Sequence, residues 1–230
     1  LTAGLAHGLD LRLNTVVRRI RHGADSVEVE TGQGVFNADA AIITLPLGVL
    51  KAGMVTFDPP LPADKQDAIR RLGMGLLNKV WLRFPSAFWA APGWIERAVQ
   101  PSAWAEFYAT PLPDPTLIAF TCGRHARETE ALSNEQIVNL AVAGLRAGFG
   151  TIVPDPVEAH VTRWQSDPFC RGAYSFLPAG ASPADRKRLA APVHRLYFAG
   201  EACHLDFPST VHGAYQTGRA AARAVGASLR

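Results

Sequence analysis

Alternation of apolar and polar residues with a period of two dominates the first part of the chain. Val27 and Val29 alternate with Glu28 and Glu30, which predicts a half-buried strand over 26–31, and Gly32-Gln33-Gly34 supplies the turn out of it. Upstream, residues 11–20, which carry Val16, Val17 and Ile20, read as a strand. Residues 40–45 form a largely apolar run stopped by Pro46, as suits a strand buried on both faces of a parallel sheet. Asp58-Pro59-Pro60-Leu61-Pro62 is a stiff connector, and Pro62 stands where it can open a helix over 63–72. Over 78–84 the alternation returns: Lys79, Trp81 and Arg83 face one way, Val80, Leu82 and Phe84 the other.

Further strands are predicted over 104–108 and 116–122, with Pro111, Pro113 and Pro115 punctuating the loop between them. The period then changes. Ser133 and Gln136 have capping-box spacing, and a helix through Leu145 is expected to bury Ile137, Leu140, Ala141 and Leu145. Residues 157–164 and 195–199 read as strands, the second running into Gly200-Glu201, and a helix over about 210–225 ends the pattern. This order predicts a mixed α/β chain in which the first and last segments share a parallel sheet around a β-rich middle. The expected division is 1–75, 76–182 and 183–230, with the outer two belonging to one domain.

Composition narrows the function classes. An apolar share of 48% and a charged share of 19% are those of an ordinary globular protein. A net charge of +3 without a basic stripe gives no nucleic-acid footprint. The one basic cluster, Arg186-Lys187-Arg188, reads as a solvated helix face. No apolar run reaches the roughly 18 residues of a membrane span, and the first ten residues lack a signal peptide's basic region and cleavage site. Leu1 reads as an arbitrary cut. The three cysteines, Cys122, Cys170 and Cys203, form no CxxC, which fits a reducing compartment. That usage, with only four lysines among 23 basic residues, gives the expectation of a bacterial cytoplasmic protein. The histidines show no HxH or HExxH spacing, so no metal is expected.

Three stretches could carry chemistry, and each also has a plainer reading. Leu196 to Glu201 is a strand ending in glycine, followed by a helix that starts near Pro208-Ser209-Thr210-Val211-His212-Gly213-Ala214. Ser209 or Thr210 can cap that helix, and its free N–H groups favour an anion or a ring atom gaining negative charge. Its plainer reading is a capped helix packed through alanines. Arg163 to Tyr174 gathers Trp164, Phe169 and Tyr174, aromatic walls that suit flat rings and amines, or simply a cluster pinning a long loop. Lys79 lies on an otherwise apolar strand, placed for a purpose or extending its head to solvent. Gly73-Met74-Gly75-Leu76-Leu77-Asn78 is no dinucleotide fingerprint: Asn replaces the last glycine, and a helix precedes it.

Together these stretches resemble the flavin-containing amine oxidase family of monoamine oxidases, polyamine oxidases and lysine-specific histone demethylases. The resemblance rests on Phe198-Ala199-Gly200-Glu201 through Pro208-x-Thr210-Val211-His212-Gly213-Ala214, with Gly218-Arg219. It rests also on Thr44 to Lys51 with Phe57-x-Pro59-Pro60-Leu61-Pro62, on Gly75 with Leu77-Asn78-Lys79-Val80, and on Arg163-Trp164, Asp167-Pro168 and Arg171 to Ser175. It implies a two-domain FAD-dependent fold, here with an incomplete FAD-binding parallel sheet and a β-rich substrate domain. By resemblance, Lys79 holds a water at flavin N5, and Tyr174 is one wall of the substrate cage. Thr210 stands where monoamine oxidases carry the second cage tyrosine. Ala173 stands where they carry the flavin-linked cysteine, so the FAD is expected to be non-covalent. Trp164 and Phe169 would lie beside the flavin. Gly200, Glu201, Thr210, Val211 and Ala214 would contact its ribityl chain and pyrimidine edge, and Val17, Leu45 and Pro46 would line it elsewhere.

The family's glycine-rich βαβ unit has no counterpart here. The expectation is a fragment, or one piece of a split enzyme, that neither holds FAD tightly nor turns over alone, because the pyrophosphate site lies in the missing N-terminal part. The implied reaction is oxidation of a small-molecule amine by oxygen, a polyamine or another primary or secondary amine, to imine and hydrogen peroxide. A homodimer is the candidate assembly. The rival readings are a flavoprotein of the protoporphyrinogen oxidase or carotenoid desaturase type, and a non-catalytic truncated relative.

Overall fold

The structure, a computed structural model, describes residues 2–96, 104 and 106–230. After a short helix α1 (Thr2–Ala6), the chain forms β1 (Val17–His22), β2 (Val27–Thr31), β3 (Gly34–Ala38) and β4 (Ala41–Ile43), then α2 (Leu47–Lys51), β5 (Thr56–Asp58) and α3 (Ala63–Arg71). The middle carries β6 (Gly73–Gly75), β7 (Leu77–Arg83), β8 (Gly93–Glu96), β9 (Glu106–Ala109), β10 (Thr116–Cys122), α4 (Gly123–Glu130), α5 (Asn134–Phe149), β11 (Glu158–Val161) and β12 (Tyr174–Phe176). The chain ends with α6 (Pro183–Ala190), β13 (Leu196–Phe198), a single 3-10 turn at Glu201–Cys203, and α7 (Val211–Ser228). Two compact units result: Leu1–Leu45, Val49–Leu72 and Leu177–Arg230 form the first, Pro46–Gly48 and Gly73–Phe176 the second.

In the first unit β1, β2 and β3 form an antiparallel meander, and β5 adds to β1 in parallel. β4 pairs in parallel with β13, Ala41 opposite Leu196 and Ile43 opposite Phe198, so strands about 150 residues apart in sequence share a ladder; the parallel pairing is as expected, but burial on both faces is not, since Ile43 is buried while Ile42 on the other face is exposed. α3 and α6 meet through Lys65. Lys65 is 2% exposed, and its ammonium donates to the carbonyls of Arg188 (2.8 Å), Leu189 (2.6 Å) and Ala191 (2.6 Å), closing the C-terminal end of α6. It also stands 3.8 Å over the Phe198 ring. Burial pushes Lys65 down to about 8, opposed in part by Cys203 and Asp64.

The second unit is a five-stranded antiparallel sheet in the order β11-β7-β10-β9-β8. Val80 and Leu82 of β7, with Phe84 just after it, point to one face with Phe107, Ala109, Leu117 and Ala119, and α5 packs Ile137, Ala141 and Leu145 onto them. The capping box opens α5 as its spacing predicts: the Gln136 N–H donates to Ser133 Oγ (3.1 Å) and the Ser133 N–H to Gln136 Oε1 (2.9 Å).

Several expectations need correction. The first strand begins at Val17, because Asn14 takes a left-handed conformation (φ 54°) in a turn that leaves Leu11 and Leu13 exposed. Leu140 is exposed; the buried stripe of α5 centres on Ala141, and Leu140 stands about 100° round the helix from it. The strand expected over 157–164 ends at Val161, where the chain enters a turn. That expected over 104–108 is Glu106–Ala109 among the described residues; residue 105 lies outside them. Helix α4 was not read from the sequence, and α6 was read only as a basic helix face without bounds. The second had a legible signal, since Ser182, Pro183 and Asp185 have N-cap, N1 and N3 spacing. Arg186 is not part of a solvated face: it is 2% exposed, while Lys187 and Arg188 beside it are exposed.

Candidate active site

The first unit gathers Val17, Leu45, Gly200, Glu201, Thr210, Val211 and Ala214 of the predicted residues. The parallel pair β4–β13 puts Thr44-Leu45 and Gly200-Glu201 just beyond the carboxyl ends of its strands, and the Ala199 N–H bonded to the Ile43 carbonyl (3.0 Å) continues the ladder to that edge. Ligands of parallel α/β sheets bind at such ends. Gly200 has φ 131°, a conformation that favours glycine, and there the strand breaks into the Glu201–Cys203 turn. The Glu201 carboxylate accepts the Ser209 N–H (2.7 Å) and so ties that turn to the loop before α7.

Thr210 rather than Ser209 caps α7: its Oγ1 accepts the Gly213 N–H (3.0 Å), and its hydroxyl donates to the Phe207 carbonyl (2.8 Å). A methyl group on Gly213 would run into the Phe207 carbonyl oxygen, so only glycine lets the loop fold back on the helix. The first-turn N–H groups of Val211 and His212 have no intrahelical acceptor by helix geometry, and Val211 is 70% exposed. Half-buried Val17, Leu45 and Ala214 add apolar surface. Donors at a positive helix end beside apolar walls fit a flat ring with a polar, electron-gaining edge, which is the chemistry of a flavin.

The second unit holds Pro46, Lys79, Trp164, Phe169 and Tyr174. Lys79 is on β7; its N–H donates to Thr162 Oγ1 (2.8 Å), and the Thr162 N–H donates to its carbonyl (3.0 Å). Its ammonium lies 5.8 Å from the Trp81 ring and 5.5 Å from that of Phe120. Tyr174 is on β12, opposite Gly75 of β6, and the Ala173 N–H donates to the Gly75 carbonyl (2.8 Å). A side chain on Gly172 would strike Met74, so the approach of this loop to β6 also requires glycine. Gly48 lies against the carbonyls of Cys170 and Arg171, which seats the residues after Pro46 on the same loop. Trp164, Phe169 and Tyr174 all present exposed ring surface.

Asn78 and Glu130 organise this loop, and sequence reasoning gave them no role. The Trp164 N–H donates to Asn78 Oδ1 (3.1 Å), and Asn78 Nδ2 donates to Glu130 Oε1 (2.8 Å). Glu130 also accepts the N–H groups of Gln165 and Ser166 (both 3.0 Å) and the Ser166 hydroxyl (2.6 Å). Burial raises its carboxyl, but the bonds from Ser166, Asn78 and Gln165 outweigh burial and hold it below the usual glutamate range. Asn78 directly precedes Lys79, the one available hint; Glu130 ends a helix that the hydrophobic pattern did not announce. Elsewhere in the first unit a cleft of about 600 Å³ contains none of these residues. Its Lys51 donates to the carbonyls of Ile69, Arg70 and Leu72, and so closes α3.

Among the described residues no helix is long and apolar enough to cross a membrane, and no group of three or more His, Cys, Asp or Glu could hold a metal. The chain is 43% identical over 227 residues to polyamine oxidase 4 of Oryza sativa subsp. japonica, covering 95% of this chain and 45% of the relative. It is 40% identical over 229 residues to lysine-specific histone demethylase 1 homolog 2 of Arabidopsis thaliana, covering 95% and 31%. It thus spans less than half the length of these relatives. Cyclohexylamine oxidase from Brevibacterium oxydans IH-35A superposes with a TM-score of 0.81 at 26% identity, over 93% of this chain and 48% of that one. Wild-type putrescine oxidase bound to putrescine shares the fold, with a TM-score of 0.84 at 24% identity over 97% and 51%. The sequence pattern of flavin containing amine oxidoreductases matches residues 1–226. The chain belongs to the flavin-containing amine oxidoreductase family.

Proposed function

We propose that this chain supplies the flavin-edge contacts and the amine-handling residues of an amine oxidase acting on a polyamine or another primary or secondary amine. The observation that carries the reading is local to the second unit. Lys79 and the loop with Trp164 and Tyr174 are one hydrogen-bonded body, joined through Thr162, Asn78 and β6. Similarity to polyamine oxidase 4 supports the substrate class.

When bound, FAD supplies a two-electron acceptor, taking a hydride from the carbon next to the amine nitrogen and passing the electrons to oxygen as hydrogen peroxide. The α7 start, with Thr210, Val211 and Ala214, would hold the flavin and favour negative charge gained there, and Gly200 and Glu201 would add further contacts to it. In the first unit Val17 and Leu45 would offer the cofactor apolar surface, and in the second Pro46, Trp164 and Phe169 would offer apolar and aromatic surface. Tyr174 aligns the neutral amine through its ring face. Lys79 keeps a water at the reacting end through its ammonium. In the full-length enzyme Lys79→Met removes that hold, and reoxidation of the reduced flavin by oxygen, followed by stopped flow, is expected to slow at least about tenfold. An unchanged reoxidation rate contradicts the role of Lys79.

Similarity to lysine-specific histone demethylase homologues favours a second reading, in which the amine is a lysine side chain of a histone-like peptide. Peroxide release with free polyamines and not with lysine peptides decides for the first.

A further inference from the structure

We propose that Arg186 is a positioning residue for the cofactor: its buried guanidinium grips the turn after β13 and fixes Glu201 for FAD, an inference that rests on the FAD reading above. Arg186 is the largest of the fully buried side chains among the described residues. It projects from α6, and its Nη1 donates to the Ala202 carbonyl (3.0 Å) inside the Glu201–Cys203 turn. From the other side α7 holds the same turn, since the Gly200 N–H donates to Thr217 Oγ1 (3.0 Å). The turn then passes its position on. The Glu201 carboxylate accepts the Ser209 N–H (2.7 Å); Ser209 has φ 63°, and Thr210 caps α7 directly after it. Arg186 is therefore the first member of a bonded series that ends at the α7 tip.

A purely structural contact does not call for arginine. Burying a guanidinium is costly unless it is paired, and an apolar side chain of similar volume would pack α6 against the turn more cheaply. A guanidinium offers what an apolar group lacks, fixed donors for a carbonyl and a positive charge beside a carboxylate. Desolvation lowers the Arg186 pKa, while Glu201 and then Cys203 oppose that shift, consistent with a cation placed to act on Glu201. Arg188, two residues on, pairs with buried Asp185 of the same helix (3.0 Å).

The test is FAD affinity, read from quenching of flavin fluorescence on titration into the apo form of the full-length protein, with the thermal midpoint of each apo variant measured alongside. Arg186→Met is expected to weaken FAD binding about tenfold, within the range of coupled neighbours. Arg186→Lys, which keeps the charge and a donor, is expected to recover most of that loss. In a Glu201→Gln background Arg186→Met is expected to cost less than about threefold, because the residue it positions no longer carries its charge. FAD binding by Arg186→Met equal to that of the parent overturns the proposal. So does an equal loss in both backgrounds, which would mean that Arg186 serves the fold alone. A parent protein that binds no FAD overturns the cofactor reading itself, and the proposal with it.

Discussion

Replacing Glu130 by Gln removes the charge that holds the aromatic loop against β7. The wild-type carboxylate accepts hydrogen bonds from Asn78 Nδ2, the Gln165 N–H, the Ser166 N–H and the Ser166 hydroxyl. Each hydrogen bond to a charged acceptor contributes about 1.5–3 kcal/mol when buried. Glu130 is only partly buried, so solvent reduces that to about 2–3 kcal/mol for the whole set. The amide can accept through one oxygen only, and its NH2 group meets backbone N–H donors. Denaturant unfolding of the variant at neutral pH is therefore expected to show a loss of about 2 kcal/mol with an unchanged m-value. The pH dependence follows with its sign. Glu130 has a folded pKa below its unfolded one, so its contribution is fully present above the unfolded pKa and disappears as pH falls through the folded one. The variant should lie below wild type at pH 7 and converge on it in acid. A loss under about 0.5 kcal/mol, or a gap that stays constant into acid, refutes the reasoning.

Two further predictions concern the first unit. Gly213→Ala puts a methyl group into the Phe207 carbonyl, so the variant is expected to lose at least about 2 kcal/mol of stability and to bind FAD more weakly; calorimetry and flavin titration would show wild-type values if the loop could yield. Burial pushes the Cys203 thiol up to about 12, so a thiol reagent at pH 8 is expected to modify exposed Cys122 and leave Cys203 unmodified until the chain unfolds; peptide mass spectrometry reads both sites, and equal labelling in the folded protein would contradict the burial.

Features governed by local periodicity were legible in the sequence. The 78–84 alternation places Val80 and Leu82 in the core and Lys79 on the opposite face because a strand's side chains alternate by necessity. The α5 capping box and the Thr210 cap are short-range hydrogen bonds whose partners sit three residues apart. The β4–β13 pairing could be suspected only from the apolar density of residues 40–45, since register between distant strands leaves no local trace. What stayed hidden depends on long-range polar contacts. Arg186 and Lys65 look like surface residues on charged helices, yet the turn and helix end they meet lie 16 and about 125 residues away. The same holds for Glu130, whose partners Asn78, Gln165 and Ser166 come from two other segments. Composition cannot announce such pairings, because a buried charge is decided by the acceptor that meets it.

The central claim is that the full-length protein draws a hydride from an amine into a flavin held partly by this chain. Purified full-length protein, reconstituted with FAD and kept free of oxygen, should be yellow and should lose its visible absorbance when a polyamine is added, then regain it on admitting air, with one peroxide formed per reduction cycle. A protein that takes up FAD yet keeps its absorbance unchanged across polyamines, simple amines and lysine peptides contradicts the account.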